Sequence, residues 1–322
     1  MKLLLTGGTG FFGRALLRYW QARAALGEPV PDVTVLCRQP VAFQARYPVL
    51  AGSAWLTLQR GDILEPAQLG LLAGSYTHLL HAAADSTAGP AMSPLQRYTQ
   101  IVDGTRHMLD VAIMLGIPRF LQVSSGGVYG PQPADLQAIP ESYHGMPDPM
   151  QPAHAYSVAK RSAEHLCALY QEQFGVEVVI ARCFAFVGRD LPLDAHFAIG
   201  NFIGNALSAN EIRVNGDGSA LRTFMDQRDL AHWLDVLLAR GAAGQAYNVG
   251  SDQVINIGDL AHLVRDLIAP GKPVLIARRH EAQGSFRNRY VPQISKATDE
   301  LGLTLQYSLV ESIRHAAEYA GR

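Results

Sequence analysis

The stretch LLLTGGTGFFGRALL, residues 3–17, runs from an apolar segment through a glycine-rich turn into an apolar segment with helical periodicity. Gly7, Gly10 and Gly13 are spaced GxxGxxG between the predicted strand and the predicted helix. At the first βα turn of a parallel sheet, bare backbone lets a pyrophosphate approach closely, and the helix N-terminus presents free N–H groups and partial positive charge. We therefore predict a dinucleotide-binding turn at this point.

The remainder of the first half repeats this alternation of short apolar strands and longer helical patterns, which indicates βαβ units. We predict an α/β fold with a doubly wound parallel sheet, the Rossmann type, and a smaller C-terminal substrate-binding lobe. The predicted dinucleotide-binding domain comprises residues 1–187 plus about 223–250, and the lobe comprises 188–222 plus 251–322. The predicted strands cover residues 2–6, 33–37, 55–59, 78–82, 119–124 and 176–183, and the predicted helices begin near 11, 95 and 154.

Charge and composition exclude several classes of function. Lys plus Arg total 27 against 28 Asp plus Glu, with no long run of either sign, so we expect neither a nucleic-acid nor a membrane partner. Three distant cysteines and no HExxH motif predict neither a disulfide framework nor a metal site, and His78 and His81 are expected to be structural. No signal segment or membrane-spanning apolar run is present, so a cytoplasmic location is expected.

The end of the second predicted strand bears on the choice of cofactor. Dinucleotide folds place a carboxylate there for the ribose 2′-hydroxyl of NAD, or an Arg for the 2′-phosphate of NADP. Here Cys37 stands at the carboxylate position with Arg38 beside it, so NADP is favoured over NAD. In the alternative, Arg38 is a solvated surface residue and NAD binds without the carboxylate. Asp62, after the third strand, is a candidate adenine contact or a helix cap.

Tyr156 and Lys160 are four residues apart in AYSVAK on a predicted helix, so they share one face. A lysine ammonium near a tyrosine lowers the pKa of the phenol and prepares it for proton transfer. About thirty residues earlier, Ser124 and Ser125 end a strand in LQVSSGGVYG, where their hydroxyls are candidates to bind a substrate oxygen.

Eight motifs occur in an order that resembles the extended short-chain dehydrogenase/reductase family, in its nucleotide-sugar epimerase, dehydratase and reductase branch. The resemblance covers almost the whole chain. The motifs are GGTGFFG, GDI, HAAA, SSGGVYG, YSVAK, RCFAFVG, GDGSALRTFMDQRDLA and YNVGS.

The resemblance implies roles for particular residues. Tyr156 would be the acid/base, Lys160 would bind the nicotinamide ribose and lower the pKa of Tyr156, and Ser125, with Ser124 beside it, would bind the sugar. Asn201 and Arg222 match positions that contact the diphosphate of a nucleoside-diphosphate sugar, and one of Arg278, Arg279, Arg287 or Arg289, most simply Arg289, would add a second cation. A homodimer is also implied. The expected cofactor-binding residues are Gly7, Gly10, Phe11, Phe12, Gly13, Arg38, Asp62, Ile63, Ala82, Ala83 and Lys160.

Departures from the family pattern narrow the reaction. The 4,6-dehydratases carry an Asp-Glu pair after the catalytic hydroxyl, and the decarboxylases use a Glu at the second position, whereas this chain has Gly126 and Gly127. Two further differences are Ile101 and Ala185, where the family often has Asn. With dehydration and decarboxylation disfavoured, two reactions remain: reduction of a 4-keto nucleotide sugar and NAD-dependent 4-epimerisation. Arg38 favours the reductase. Minor alternatives are a non-catalytic cofactor sensor and a reductase of small ketones.

Overall fold

A seven-stranded parallel sheet forms the centre of the molecule, in the order β3-β2-β1-β4-β5-β6-β11. The computed structural model describes residues 1–84, 92–195, 197–277 and 289–320. The strands of this sheet are β1 (Lys2–Thr6), β2 (Asp32–Cys37), β3 (Leu56–Arg60), β4 (His78–His81), β5 (Arg119–Ser125), β6 (Glu177–Cys183) and β11 (Gln245–Val249).

Helices cover both faces of the sheet, so apolar residues on both sides of its central strands are buried. On β1, Leu3 and Leu5 pack into the cluster that includes Trp20 and Trp233, whereas Leu4 packs into the cluster on the other face with Met108. This alternation is the period of two expected of a strand buried on both sides. The helices are α1 (Phe11–Ala25), α2 (Pro40–Arg46), α3 (Pro48–Ala51), α4 (Pro66–Leu69), α5 (Pro94–Met114), α6 (Ala155–Phe174), α7 (Ala198–Ser208), α8 (Gln227–Arg240), α9 (Ile257–Ile268), α10 (Ser295–Leu301) and α11 (Leu309–Tyr319).

A third apolar cluster lies in the C-terminal part, where α7, α9 and α11 pack around Phe202, Leu260 and Ile313. Small sheets border it: β9 pairs with β12 and β14, and β8 pairs with β13. Their strands, with the β7 and β10 pair, are β7 (Phe186–Val187), β8 (Ile212–Val214), β9 (Leu221–Arg222), β10 (Met225–Asp226), β12 (Ile255–Asn256), β13 (Val274–Ile276) and β14 (Arg289–Tyr290). The domain boundaries given above stay a prediction.

The fold class predicted from the sequence is confirmed: the structure has an α/β architecture with a parallel sheet between helical layers. No end of these observed strands differs from the predicted one by more than one residue. DVTVLC and RFLQVSS each pair one residue further than predicted. The short helices α2, α3 and α4 were not anticipated, and each begins with a proline that presets the first turn. Within the described ranges no helix combines the length and apolarity needed to span a bilayer.

Candidate active site

The glycine turn between β1 and α1 packs directly against the end of β4. Gly7 has φ +73°, and a Cβ at this position would lie 2.5 Å from the carbonyl carbon of Ala82. A Cβ on Gly13 would lie 2.2 Å from the Cα of Gly8, so the first turn of α1 rests on the loop itself. Only glycine satisfies both positions, since one needs a left-handed backbone and the other has no room.

The N-terminus of α1 is suited to bind an anion. Gly10 is its N-cap residue, and no side chain caps the helix. The first N–H groups of α1 therefore have no side-chain acceptor and carry the positive end of the helix dipole. A pyrophosphate satisfies both the donors and the dipole, so the turn fits the predicted dinucleotide.

A cavity of about 980 Å³ opens from this turn along the carboxyl ends of β1, β2 and β4. Gly13 and Lys160 are outside the lining, because Gly13 packs on Gly8 and Lys160 lies beneath the sheet edge. The predicted cofactor residues that line the cavity are Gly7, Gly10, Phe11, Phe12, Arg38, Asp62, Ile63, Ala82 and Ala83. A dinucleotide is an extended ligand, and its proposed contacts are thus distributed along one continuous wall.

A buried hydrogen-bonded group fixes the β4 side of this cavity. Thr6 Oγ1 lies 2.7 Å from His81 Nδ1, and it accepts a hydrogen bond from the backbone N–H of Ala83 at 3.3 Å. Burial, together with the charge of Lys160, lowers the pKa of His81 to about 3, so the imidazole is neutral. His81 has a structural role, as expected: it orients Thr6, which in turn holds the Ala82–Ala83 backbone against Gly7.

Arginines surround the outer mouth of the cavity. Arg14 and Arg18 both bind the carboxylate of Asp190, at 2.9 and 3.2 Å, and both stack near the ring of Tyr47. Burial alone would raise the pKa of Asp190, but the two guanidinium groups hold it below its usual range. The sequence offered one signal for this cluster, the i,i+4 spacing of Arg14 and Arg18 on α1, but its partner is about 170 residues away and was missed.

Arg38 and Arg46 are exposed and also line the mouth of the cavity. Of the arginines in the lining, these two follow the end of β2 most closely in the sequence. Asp62 lies on the same wall and forms a local turn, since its carboxylate accepts the N–H of Leu64 at 3.0 Å. Asp62 therefore lies on the cavity wall, where the adenine contact was predicted, but it does not cap α4, whose N-cap residue is Glu65.

Lys160 on α6 lies buried beneath the end of β5. Its Nζ donates to the carbonyl of Val123 at 2.7 Å, and the side chain is 4% exposed. Burial lowers the pKa of Lys160 from 10.5 to about 8. Below pH 8 Lys160 is therefore a cation. It is held at Val123, two residues before Ser125, where β5 ends.

Tyr156 is one turn earlier on α6, half-buried in a small apolar cluster. Its ring packs against a cluster that contains Ile101 and Ala159, and Ala84 packs against the same cluster. Ile101 is 2% exposed, and its side chain makes apolar contact here. Ala84 lines the cavity and Tyr156 is not part of that lining, so the cluster is the link between Tyr156 and the cavity wall.

Ser125 begins a single 3₁₀ turn, Gly126–Tyr129, and its Oγ accepts the N–H of Gly127 at 3.1 Å. A side chain at either glycine would displace a neighbouring side chain. A Cβ on Gly127 would lie 2.7 Å from Ser157 Oγ, next to Tyr156 in sequence. A Cβ on Gly126 would lie 2.7 Å from both Phe184 Cζ and Tyr290 Oη.

Ser124 points away from Ser125, because neighbouring residues of a strand face opposite sides of the sheet. Its hydroxyl donates to Glu164 Oε1 at 2.6 Å, and Glu164 binds Arg182 at 2.7 Å. Arg182 in turn donates to the buried phenol of Tyr129 at 2.9 Å. The structure thus gives Ser124 a partner in a buried network rather than an open position toward a substrate.

The residues predicted to hold the diphosphate lie in the C-terminal part. Asn201 is half-buried on α7, and Arg222 is half-buried on β9, where its Nη1 donates to the carbonyl of Leu221 at 2.7 Å. Arg289 instead binds Gln137, with Nη1 2.6 Å from Oε1, so it is engaged with the loop that precedes α6. Arg278, Arg279 and Arg287 lie outside the described residues.

Comparison with known proteins connects this arrangement to a family. The model of the NAD dependent epimerase/dehydratase family matches residues 3–250. A dTDP-glucose 4,6-dehydratase of Streptomyces antibioticus is 26% identical, over 99% of this chain and 92% of its own length. UDP-glucuronic acid decarboxylase 1 of Danio rerio is 29% identical, over 100% of this chain and 73% of its own. The solved structure of RMD from Pseudomonas aeruginosa with NADPH is 25% identical, covers 99% of this chain and 98% of its own, and has a TM-score of 0.78.

Proposed function

The chain belongs to the NAD dependent epimerase/dehydratase family, and from this premise we propose that it uses NADPH to reduce the 4-keto group of a nucleoside-diphosphate 4-keto-6-deoxy sugar. The observation that carries the proposal is the turn after Ser125. Its two residues are glycines without a carboxyl group, and they pack closely against Phe184, Tyr290 and Ser157. Elimination of water and loss of carbon dioxide in the relatives named above call for a carboxyl group at this turn. Hydride transfer calls only for a nicotinamide, an acid and a positioned substrate.

The remaining side chains support each part of such a reduction. Tyr156 would donate its phenolic proton to the C4 oxygen as the hydride reaches the C4 carbon, and Ser125 would hydrogen-bond that oxygen. The nicotinamide, when bound, supplies the hydride. Lys160, buried and cationic below pH 8, would bind the nicotinamide ribose and favour the phenolate left on Tyr156 after transfer.

Contacts along the chain bring these groups together. Ser157, next to Tyr156, is in contact with the turn at Gly127, and Lys160 binds the strand that carries Ser125. Both contacts hold the first turns of α6 against the end of β5. These contacts support the proposal that Tyr156 on α6 and Ser125 at the end of β5 act on the same substrate oxygen.

The preference for NADP is part of the proposal. Exposed Arg38 on the cavity wall, with Cys37 in place of a carboxylate, supports binding of a 2′-phosphate, and Arg46 adds a second exposed cation at the same mouth. We expect Arg38→Ala to weaken NADPH more than tenfold while changing NADH less than threefold, since a charge-assisted bond contributes about 1.5–3 kcal/mol. Arg60→Ala, an exposed arginine outside the cavity lining, is the matched control. Equal losses for both nucleotides would contradict the preference.

The direct assay offers dTDP- and UDP-4-keto-6-deoxyglucose with NADPH and follows the loss of NADPH absorbance. Turnover with the wild-type protein, and its loss in Tyr156→Phe with NADPH binding retained, is the expected result. Co-purification of tightly bound NAD, with interconversion of UDP-glucose and UDP-galactose and no NADPH oxidation, would replace the reductase with a 4-epimerase.

A homodimer is proposed through α5 and α6, which pack against each other and leave apolar side chains on their outer surface. Leu95, Met114, Leu169 and Phe174 are between 45% and 75% exposed. Burial of such a surface against a second copy would stabilise the pair. Light scattering is expected to give twice the mass of the 34.9 kDa chain, and Leu169→Glu is expected to restore the monomer mass.

A further inference from the structure

We propose that Tyr290 is a substrate-binding residue whose hydroxyl forms a hydrogen bond with an oxygen of the sugar ring beside Ser125. The inference rests on the proposed function, because it assumes a nucleotide sugar. It starts from the turn at Gly126, where a Cβ would lie 2.7 Å from Tyr290 Oη. The phenol oxygen therefore occupies the space that the side chain of residue 126 would otherwise take.

The ring of Tyr290 is held in place by a second aromatic ring. Phe184 stacks on it with centroids 4.6 Å apart and planes inclined by 32°. The backbone N–H of Phe184 donates to Val249 at 3.0 Å, and its ring also packs against Tyr129, 6.3 Å away. The hydroxyl is thus directed at the Ser125–Gly126 turn by a rigid aromatic support rather than by a mobile loop.

The register of the small sheet links this phenol to the proposed diphosphate site. Tyr290 is paired with Arg222 across β14 and β9, and Arg289 is paired with Leu221. Since adjacent residues of a strand face opposite ways, the side of β14 that carries Arg289 toward Gln137 is not the side that carries Tyr290 toward Gly126. Arg289 was predicted as a second cation for the diphosphate, whereas the geometry points to its neighbour Tyr290 as a contact for the sugar.

A nucleotide sugar that extends from Arg222 to Ser125 passes the phenol. With its diphosphate at Arg222 and its C4 oxygen at Ser125, the sugar would extend from the residue that pairs with Tyr290 to the turn that Tyr290 Oη approaches. A phenol can donate one hydrogen bond and accept another, which suits a sugar hydroxyl or carbonyl. The dehydratases carry reactive carboxyl groups at this turn. Tyr290 would provide a neutral hydrogen bond there instead.

The test separates the sugar from the nucleotide by calorimetric titration with UDP, dTDP, UDP-glucose and dTDP-glucose. Tyr290→Phe removes the hydroxyl and keeps the ring stacked on Phe184. For the nucleotide that the wild-type protein binds, we expect the diphosphate affinity of this variant to stay within twofold and the nucleotide-glucose affinity to fall about three- to tenfold, the contribution of one hydrogen bond. Tyr143→Phe, a half-buried ring that packs 6.2 Å from Tyr129, should change neither.

The outcomes distinguish the two proposals. Wild-type affinity for the nucleotide-glucose in Tyr290→Phe would overturn the role of Tyr290 while the proposed function stands. Equal weakening of the diphosphate and of its glucose ester would also overturn it, because the hydroxyl would then act on the nucleotide or on the fold. If the wild-type protein binds none of the four ligands, the proposed function fails and this role fails with it. Matching unfolding midpoints for the variants establish that each is folded.

Discussion

Replacing Lys160 with methionine is expected to stabilise the protein while it abolishes turnover. The ammonium is fully buried, and its pKa is lowered by burial from 10.5 to about 8. A pKa lowered to this extent corresponds to about 3 kcal/mol of unfavourable free energy for holding the charge in the folded state at neutral pH. Methionine has a similar length and carries no charge, so it removes this penalty.

The gain is reduced by the hydrogen bond that is lost. Lys160 donates to the carbonyl of Val123, which also receives the side-chain amide of Gln122 at 3.4 Å. Leaving that carbonyl with one weaker partner costs about 1 kcal/mol. The net expectation is a free energy of unfolding about 2 kcal/mol higher in Lys160→Met at pH 7, and a Tm about 3 °C higher.

The pH dependence gives this prediction its sharpest test. Lys160 is a base whose folded pKa is lower than its unfolded value, so between pH 8 and 10.5 the unfolded chain holds a proton that the folded protein has released. The free energy of unfolding of the wild-type protein should therefore rise across this window relative to that of Lys160→Met, and the difference between the two proteins should disappear. Urea unfolding of both proteins without cofactor, at pH 7, 8, 9 and 10, measures it. Lys160→Arg keeps the charge and should show no gain. A methionine variant less stable than wild type at pH 7, or a constant gap, would refute the reasoning.

Three further predictions follow from the same site. The catalytic efficiency should fall above pH about 8, as Lys160 loses the charge that favours the phenolate of Tyr156, and a pH profile of kcat/KM that stays flat to pH 9.5 would contradict this. Gly126→Ala should lower the free energy of unfolding by about 1–3 kcal/mol through overpacking, whereas Gly70→Ala, with its nearest atom at 3.6 Å, should stay within about 0.5 kcal/mol; urea unfolding compares them. Gly7→Ala should remove NADPH binding and cost at least about 2 kcal/mol, since it adds a strained φ and a contact at 2.5 Å; fluorescence titration with unchanged affinity would disprove it.

The sequence predicts the sheet well, because each strand carries its own apolar pattern and its own bounding turn. It also predicts the glycine turn, whose spacing encodes a local conformation, and the shared helix of Tyr156 and Lys160. These features depend on residues a few positions apart. Interactions between neighbouring residues therefore determine them.

Features that depend on contacts between residues far apart in the sequence could not be predicted in the same way. The direction of Arg289 toward Gln137 and of Tyr290 toward Gly126 depends on how β14 aligns with β9, nearly 70 residues away. The binding of Arg14 and Arg18 by Asp190 likewise joins α1 to a loop beyond β7. Ser124 is different, because the alternation of side chains on β5 already implies that it and Ser125 face opposite ways, and that signal was present in the sequence.

The closed turn at Gly126 and Gly127 also bears on how this enzyme and its carboxyl-bearing relatives can be interconverted. A carboxylate introduced at residue 126 alone meets Phe184 and Tyr290, and one introduced at 127 alone meets Ser157. A carboxyl group at this turn therefore requires the side chains around it to move or to be replaced: Phe184 and Tyr290 for residue 126, and Ser157 for residue 127. Conversion of one activity into another would then take more than the exchange of the two glycines.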